Sequence, residues 1–324
     1  MMTATASEAT SDELARSNLT RRAAAASIAV AVVLVVSKLW ATGATESTAM
    51  LGSLADSALD LIASLATLTG VWIAAQPADD NHRFGHGKAE ALAAIFQVML
   101  IALSASAILF QAITRLIEGG RTQAAATGIG VSILAIAATL ILLMYQRRVI
   151  RRTGSVAIAA DHTHYQSDLL LNLAVIAALL LDQLVGFALA DPLFGIAIAA
   201  WLIWGAWRAA SEAIDHLMDR EWPDEQRQRF VELAARHPEL SNLHDLRTRT
   251  SGTHDFVQFH VDLPQDMSVG AAHDIIERVE SDLQEHFPNM ELLIHIDPAG
   301  HVDEPGNSLV ERDEFAQLNE GGTS

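Results

Sequence analysis

The chain has 324 residues, 51% of them hydrophobic, with 21 Lys+Arg against 39 Asp+Glu and a formal net charge of −18. That length accommodates a membrane domain plus a small soluble one, and the acidic balance excludes a basic nucleic-acid-binding surface. Cysteine is absent, which removes disulfides and thiolate ligands together and disfavours a soft Cu(I) site.

Residues 1–20 are polar and small, with no apolar signal-peptide core ahead of Arg21 and Arg22, and are expected to form a disordered leader. Six runs then approach the ~20 apolar residues needed to cross hydrocarbon: 22–42, 47–75, 89–117, 124–146, 155–184 and 190–217. An all-α six-helix transmembrane bundle is expected over 21–219. Arg16, Arg21 and Arg22 precede the first run, Arg83 and Lys88 separate the second from the third, and Arg147, Arg148, Arg151 and Arg152 separate the fourth from the fifth. Basic residues in short loops mark the cytoplasmic side, so both termini are expected there; Arg115 and Arg121 are the exceptions.

Two of these runs carry ionisable groups where a bilayer should be. Asp56 and Asp60 lie four apart in the second, and Asp161, His164 and Asp168 follow steps of three and four in the fifth, so each set shares a helix face. Charged groups at that depth are costly and mark ion pathways or partners. Entering from opposite sides, the pairs Asp56/Asp60 and His164/Asp168 meet near mid-membrane, where transport sites usually sit. Three carboxylates and an imidazole suit zinc, or Fe(II), Mn(II) or Co(II). The competing reading is a set of polar groups gluing helices together.

The loop between the second and third runs holds Asp79, His82 and His86 in a polar, Gly-containing stretch. It reads either as a three-ligand metal site or as a solvated turn. From Glu221 to Ser324 the chain has 22 acidic against 7 basic residues, −15 of the total charge, and eight of the thirteen histidines. Periodicity there predicts a small α/β domain over 220–300 with helix 223–237, strands 243–250 and 255–263, helix 269–287 and strand 291–297. Period-two alternation leaves His260, His295 and Asp297 on polar strand faces, able to converge on metal or to stand as scattered surface residues; His244 and His273 are less clear. Residues 301–324 are expected to be a disordered acidic tail.

The paired Asp56/Asp60 and His164/Asp168, the run Phe84-Gly85-His86-Gly87-Lys88-Ala89-Glu90 and the αββαβ order of the last third together resemble the cation diffusion facilitator family, most of all its bacterial ferrous-iron/zinc efflux pumps. The resemblance covers about residues 15 to 300. It implies a multi-pass protein of the bacterial inner membrane with a ferredoxin- or metallochaperone-like cytoplasmic domain, acting as a homodimer that exchanges cytoplasmic Zn2+, iron, cadmium or manganese for protons. It also implies a transport site at Asp56, Asp60, His164 and Asp168, a loop site at Asp79, His82 and His86, and a two-metal cytoplasmic site at His244, His260, His273, His295 and Asp297. Lys88 and Asp219 match a charge interlock between the two copies. No enzyme activity, organic cofactor or nucleic acid is implied. A membrane metal sensor or metalloenzyme is the alternative, although no HExxH motif appears.

Overall fold

Apolar stretches of this length leave the backbone no partner but itself in hydrocarbon, so they form helices. The structure, a computed structural model, describes residues 2–45, 48–118, 129–185, 189–287, 289–300 and 313–321. Six helices come first: α1 (Met2–Thr45), α2 (Thr48–Ala74), α3 (Ala89–Glu118), α4 (Ile129–Thr153), α5 (Val156–Val185) and α6 (Ala190–Leu217). Among the described residues α1, α2, α3, α4 and α6 each contain a segment long and apolar enough to cross a membrane. The sixth, α5, has 30 residues and opens on the polar run around His164. The helix begins at Met2 rather than after a disordered leader; Ala, Glu and Leu in residues 1–20 are strong helix formers that extend α1 backward.

The chain divides into two units, one formed by Ala15–Leu217 and the other chiefly by Met218–Ser324. In the first, size sorts the side chains. Ala23, Ala24, Ala63, Ala91, Ala94, Ala105, Ala157, Ala160, Ala199 and Ala213 are buried, while Leu103, Phe110, Ile141, Met144 and Trp207 face outward. Small residues let helix backbones approach, and large apolar ones meet lipid without penalty. One close approach joins α2 to α3: a Cβ at Gly70 would lie 2.4 Å from the Ala93 Cβ. A Cβ at Gly195 of α6 would lie 2.9 Å from that of Ala112 in α3, and one at Gly205 of α6 would lie 3.2 Å from Thr163 Cγ2 in α5.

The second unit follows the expected αββαβ order as α7 (Asp224–Ala234), β1 (Ser241–Ser251), β2 (His254–Leu263), α8 (Val269–His286) and β3 (Met290–Pro298). The sheet order is β1-β2-β3, with β1 antiparallel and β3 parallel to β2. The parallel pair needs a crossover, which α8 supplies; it starts where the Ser268 hydroxyl accepts the Ala271 N–H, an ordinary N-cap. One sheet face closes on Phe230, Val257, Phe259, Val261, Val279 and Leu283. The tail differs from expectation. Residues 301–312 lie outside the described residues, but Glu314–Gly321 form α9. Its Phe315 and Leu318 pack against that core, and Arg227 pairs with Glu314 at 2.5 Å. Two apolar residues on one face of a short helix sufficed against the surrounding charge.

Candidate metal centres

The i, i+4 step in α5 stacks His164 over Asp168, and α2 brings Asp60 against them. His164 Nε2 lies 3.0 Å from Asp60 Oδ1 and 3.8 Å from Asp168 Oδ2. One ligand atom from each of Asp60, His164 and Asp168 falls within 4.8 Å of the others, a spread that one divalent cation spans by drawing ligands in to about 2.0–2.2 Å. His164 is buried and the two carboxylates are half-buried. Asp56 belongs to α2 one turn earlier, but its side chain lies outside the described residues.

Around this trio stands a hydrogen-bonded shell that no spacing singled out. Tyr165, fully buried, donates its phenol O–H to the Ser27 carbonyl at 3.1 Å. The Ser64 hydroxyl, one turn beyond Asp60, lies 3.0 Å from the same phenol oxygen and so donates to it. Asp161 shares the face of His164 yet stays out of the trio. Its Oδ2 accepts from Ser27 Oγ at 2.6 Å and from Gln146 Nε2 at 2.7 Å, linking α5 to α1 and α4. The sequence signal for this shell was Ser27 and Gln146, isolated hydrogen-bonding residues in otherwise apolar runs.

The loop after α2 folds around Asp79. Its Oδ1 accepts the backbone N–H groups of His82 at 2.7 Å and Asn81 at 2.9 Å. The His82 N–H holds this carboxyl below the usual carboxylate range, against opposing desolvation and with help from Asn81. His86 Nδ1 donates to the Pro77 carbonyl at 3.2 Å, which leaves Nε2 as the lone-pair nitrogen, 3.4 Å from Asp79 Oδ2. A carbonyl that fixes the tautomer in this way is what a metal-ligating imidazole uses. Asp79, His82 and His86 meet the same 4.8 Å criterion.

In the second unit the strand register assembles the third group. His244 pairs with His260, and His260 with His295, while Asp262 pairs with Asp297. Bulges between Ser241 and Arg247, with Asn242 at φ 51 and Asp245 at φ 49, re-aim β1; simple alternation therefore left His244 ambiguous. Its Nδ1 donates to the Asn242 carbonyl at 2.7 Å, and its Nε2 lies 3.7 Å from Asp297 Oδ2. His260 Nδ1 is 2.9 Å from the same oxygen. His244, His260 and Asp297 form the cluster, and the His295 ring lies 4.5 Å from that of His260. These nitrogen and oxygen donors fit a divalent ion. Among the described residues nothing joins His273, exposed on α8, to them. Asp245, which no spacing singles out, comes within 3.8 Å of His260 Nε2. Lys88 and Asp219 each have a partner in their own unit, Lys88 Nζ donating to the Leu217 carbonyl at 3.1 Å and Asp219 lying 3.8 Å from Arg249.

Residues 24–218 match the family model of the cation efflux transmembrane domain, and residues 222–299 match that of the cation efflux protein cytoplasmic domain. The chain is 42% identical over 284 residues to the cation-efflux pump FieF of Cronobacter sakazakii, covering 88% of this chain and 94% of that one. It is 40% identical over 291 residues to FieF of Salmonella typhimurium, covering 90% and 97%. Among solved structures, the metal-bound C-terminal domain of the CzcD transporter from Thermotoga maritima is 25% identical at a TM-score of 0.24, covering 25% of this chain and 99% of that one. With both domains matched and relatives aligned over nearly their whole length, the chain belongs to the cation efflux family, the cation diffusion facilitators.

Proposed function

We propose that this protein exports Zn2+ and similar divalent cations from the cytoplasm by exchanging them for external protons at Asp56, Asp60, His164 and Asp168. The observation that carries the reading is the meeting of Asp60, His164 and Asp168 inside the helical unit. Three carboxylates and a neutral imidazole leave an empty site at −3, too much charge to stand bare in a low dielectric, so protons take the place of a departing cation. His164 is the residue type whose charge changes most readily near neutral pH. Facing inward, the site loses protons and takes metal; facing outward, it releases metal and is reprotonated. Iron, cadmium and manganese accept the same ligands.

The family likeness places it as a multi-pass protein of the bacterial inner membrane, and the Lys/Arg-rich short loops support an orientation with both termini in the cytoplasm. The loop group Asp79/His82/His86 and the group His244/His260/His295/Asp297, with His273 assigned by family likeness alone, bind metal on the cytoplasmic side. The latter favours pairing of two copies and biases the membrane helices toward transport, as linkage requires when two states bind an ion unequally. Lys88 and Asp219 interlock across that homodimer.

The test is zinc flux into proteoliposomes with an imposed pH gradient, comparing wild type with Asp60→Ala and Asp168→Ala at equal reconstitution. Flux that needs the gradient and vanishes in both variants supports exchange. Absence of flux in all three proteins, for every divalent cation tried, turns the trio into a sensory or structural feature.

A further inference from the structure

Most buried polar side chains of the helical unit are hydrogen-bonded, and the exceptions are informative. Among the described residues Gln97 of α3 is fully buried with no protein partner for its Oε1 or its Nε2; the same holds for Thr67 Oγ1 of α2, Asp161 Oδ1 of α5 and, within the trio itself, His164 Nδ1. Leaving such groups dry is costly, about 1–3 kcal/mol each, and native structures resolve them with water or a ligand.

The helix contacts place the Gln97, Thr67 and Asp161 atoms at one level. The α2–α3 contact is at Gly70 and Ala93, so Thr67 and Gln97 lie about one turn deeper on the facing sides of two antiparallel helices. Ser155 Oγ donates to Glu90 Oε2 where α5 and α3 begin. Counting equally along both helices from that bond brings Gln97 level with residues 161 and 162. This level lies about one turn from His164, toward the end that carries the 76–88 loop. Apolar clusters bound it on both sides, Ala91, Ala94, Val156, Ala160 and Ala213 toward the loop, Ile101, Ala105, Leu202 and Ala206 away from it.

The geometry points to a water-binding polar layer, formed by Thr67, Gln97 and Asp161 Oδ1, through which a partly hydrated divalent cation reaches the Asp60/His164/Asp168 trio. The donor set selects water rather than a bare ion. An amide and a hydroxyl supply N–H and O–H donors, which a bare cation repels and a hydration shell uses, beside oxygen acceptors for metal-bound water. This inference rests on the transport reading.

The experiment runs Gln97→Leu, Thr67→Val and Asp60→Ala together in zinc uptake by inverted membrane vesicles. Gln97→Leu is expected to lower the initial rate about tenfold, the factor carried by one hydrogen bond to a polarised water, with equilibrium zinc binding unchanged. It should melt no lower than wild type, because it breaks no hydrogen bond to another part of the protein; if Gln97 held the helices together, the variant would melt lower. The chain has no cysteine, so a single Thr67→Cys substitution tests wetness independently of activity. A water-soluble methanethiosulfonate is expected to label it while Ala94→Cys, nearer the loop end but in the apolar cluster, stays unlabelled. Wild-type uptake in both Gln97→Leu and Thr67→Val overturns the layer, as does an unlabelled Thr67→Cys. Retained uptake in Asp60→Ala overturns the transport reading itself.

Discussion

Replacing Gly70 by Ala tests whether the α2–α3 spacing sets the geometry of the intramembrane trio. The new Cβ would lie 2.4 Å from Ala93 Cβ and 3.0 Å from the Ala89 carbonyl oxygen. Carbon–carbon contact settles at about 3.5–4.0 Å, so the helices must part by roughly 1 to 1.5 Å. Neither neighbour is the flexible tip of a long side chain. Overpacking costs about 1–3 kcal/mol, offset by about 0.5–1 kcal/mol from replacing a helical glycine. A net loss near 1 kcal/mol is expected. The larger effect falls on Asp60, because metal–ligand distances tolerate only about ±0.2 Å, and a helix carried outward stretches its 3.0 Å approach to His164. Zinc affinity at the trio should fall about 10- to 100-fold, the usual effect of disturbing the support of a ligand. Calorimetric zinc titration and thermal melting of the solubilised protein measure both effects. Gly195→Ala and Gly205→Ala, with clearances of 2.9 and 3.2 Å, should lose progressively less stability. Equal melting of all three with unchanged zinc affinity would refute the spacing argument.

Further outcomes follow from the other sites. His260→Ala combined with His295→Ala should remove the zinc-dependent stabilisation of the dimer, measured by light scattering and melting with and without zinc; an unchanged zinc response would exclude the regulatory role. Asp79 is held below the ordinary carboxylate range by the His82 N–H, so its ordering of the loop is present above the unfolded value of about 3.9 and is lost as pH falls through the lower folded value. The Asp79 carboxyl signal in NMR should therefore stay constant from pH 7 to 5, and a midpoint at or above the unfolded value would contradict the loop geometry. Phe315→Ala should destabilise the C-terminal unit by roughly 1–3 kcal/mol through lost burial, read by denaturant unfolding; no change would mean that α9 contributes nothing to that core.

Strongly periodic features were legible. The apolar runs marked the helices to within a few residues, except at the start of α1 and at the end of α4, which runs on through Arg147–Arg152 to Thr153, and the alternation of Val257, Phe259 and Val261 marked β2 because one face had to be buried. Asp60, His164 and Asp168 were legible since charge in a bilayer has few innocent explanations. His244 was not, because two left-handed residues break the alternation of β1, and bulges leave little trace in composition. Residues 314–321 were misjudged because their charge outweighed Phe315 and Leu318 in any average. The unpartnered state of Gln97 is invisible in sequence, since it depends on which side chains fail to arrive.

The interhelical side-chain bonds within the membrane unit are unevenly distributed. Ser27, Gln146 and Asp161 pin α1, α4 and α5 together, and Ser64 with Tyr165 pins α2 to α5. Against α3 and α6 the close approaches are of another kind, Gly70 of α2 on Ala93 of α3 and Gly205 of α6 on Thr163 of α5, with a side-chain bond from Ser155 to Glu90 at the mouth. Hydrogen bonds between buried groups resist displacement steeply, whereas smooth surfaces of glycine and alanine shear at low cost. The fold thus combines a pinned block with a sliding bearing, and Gln97 lies on the bearing. Displacement at that seam would leave intact the bonds that Asp161 and Tyr165 make around the trio.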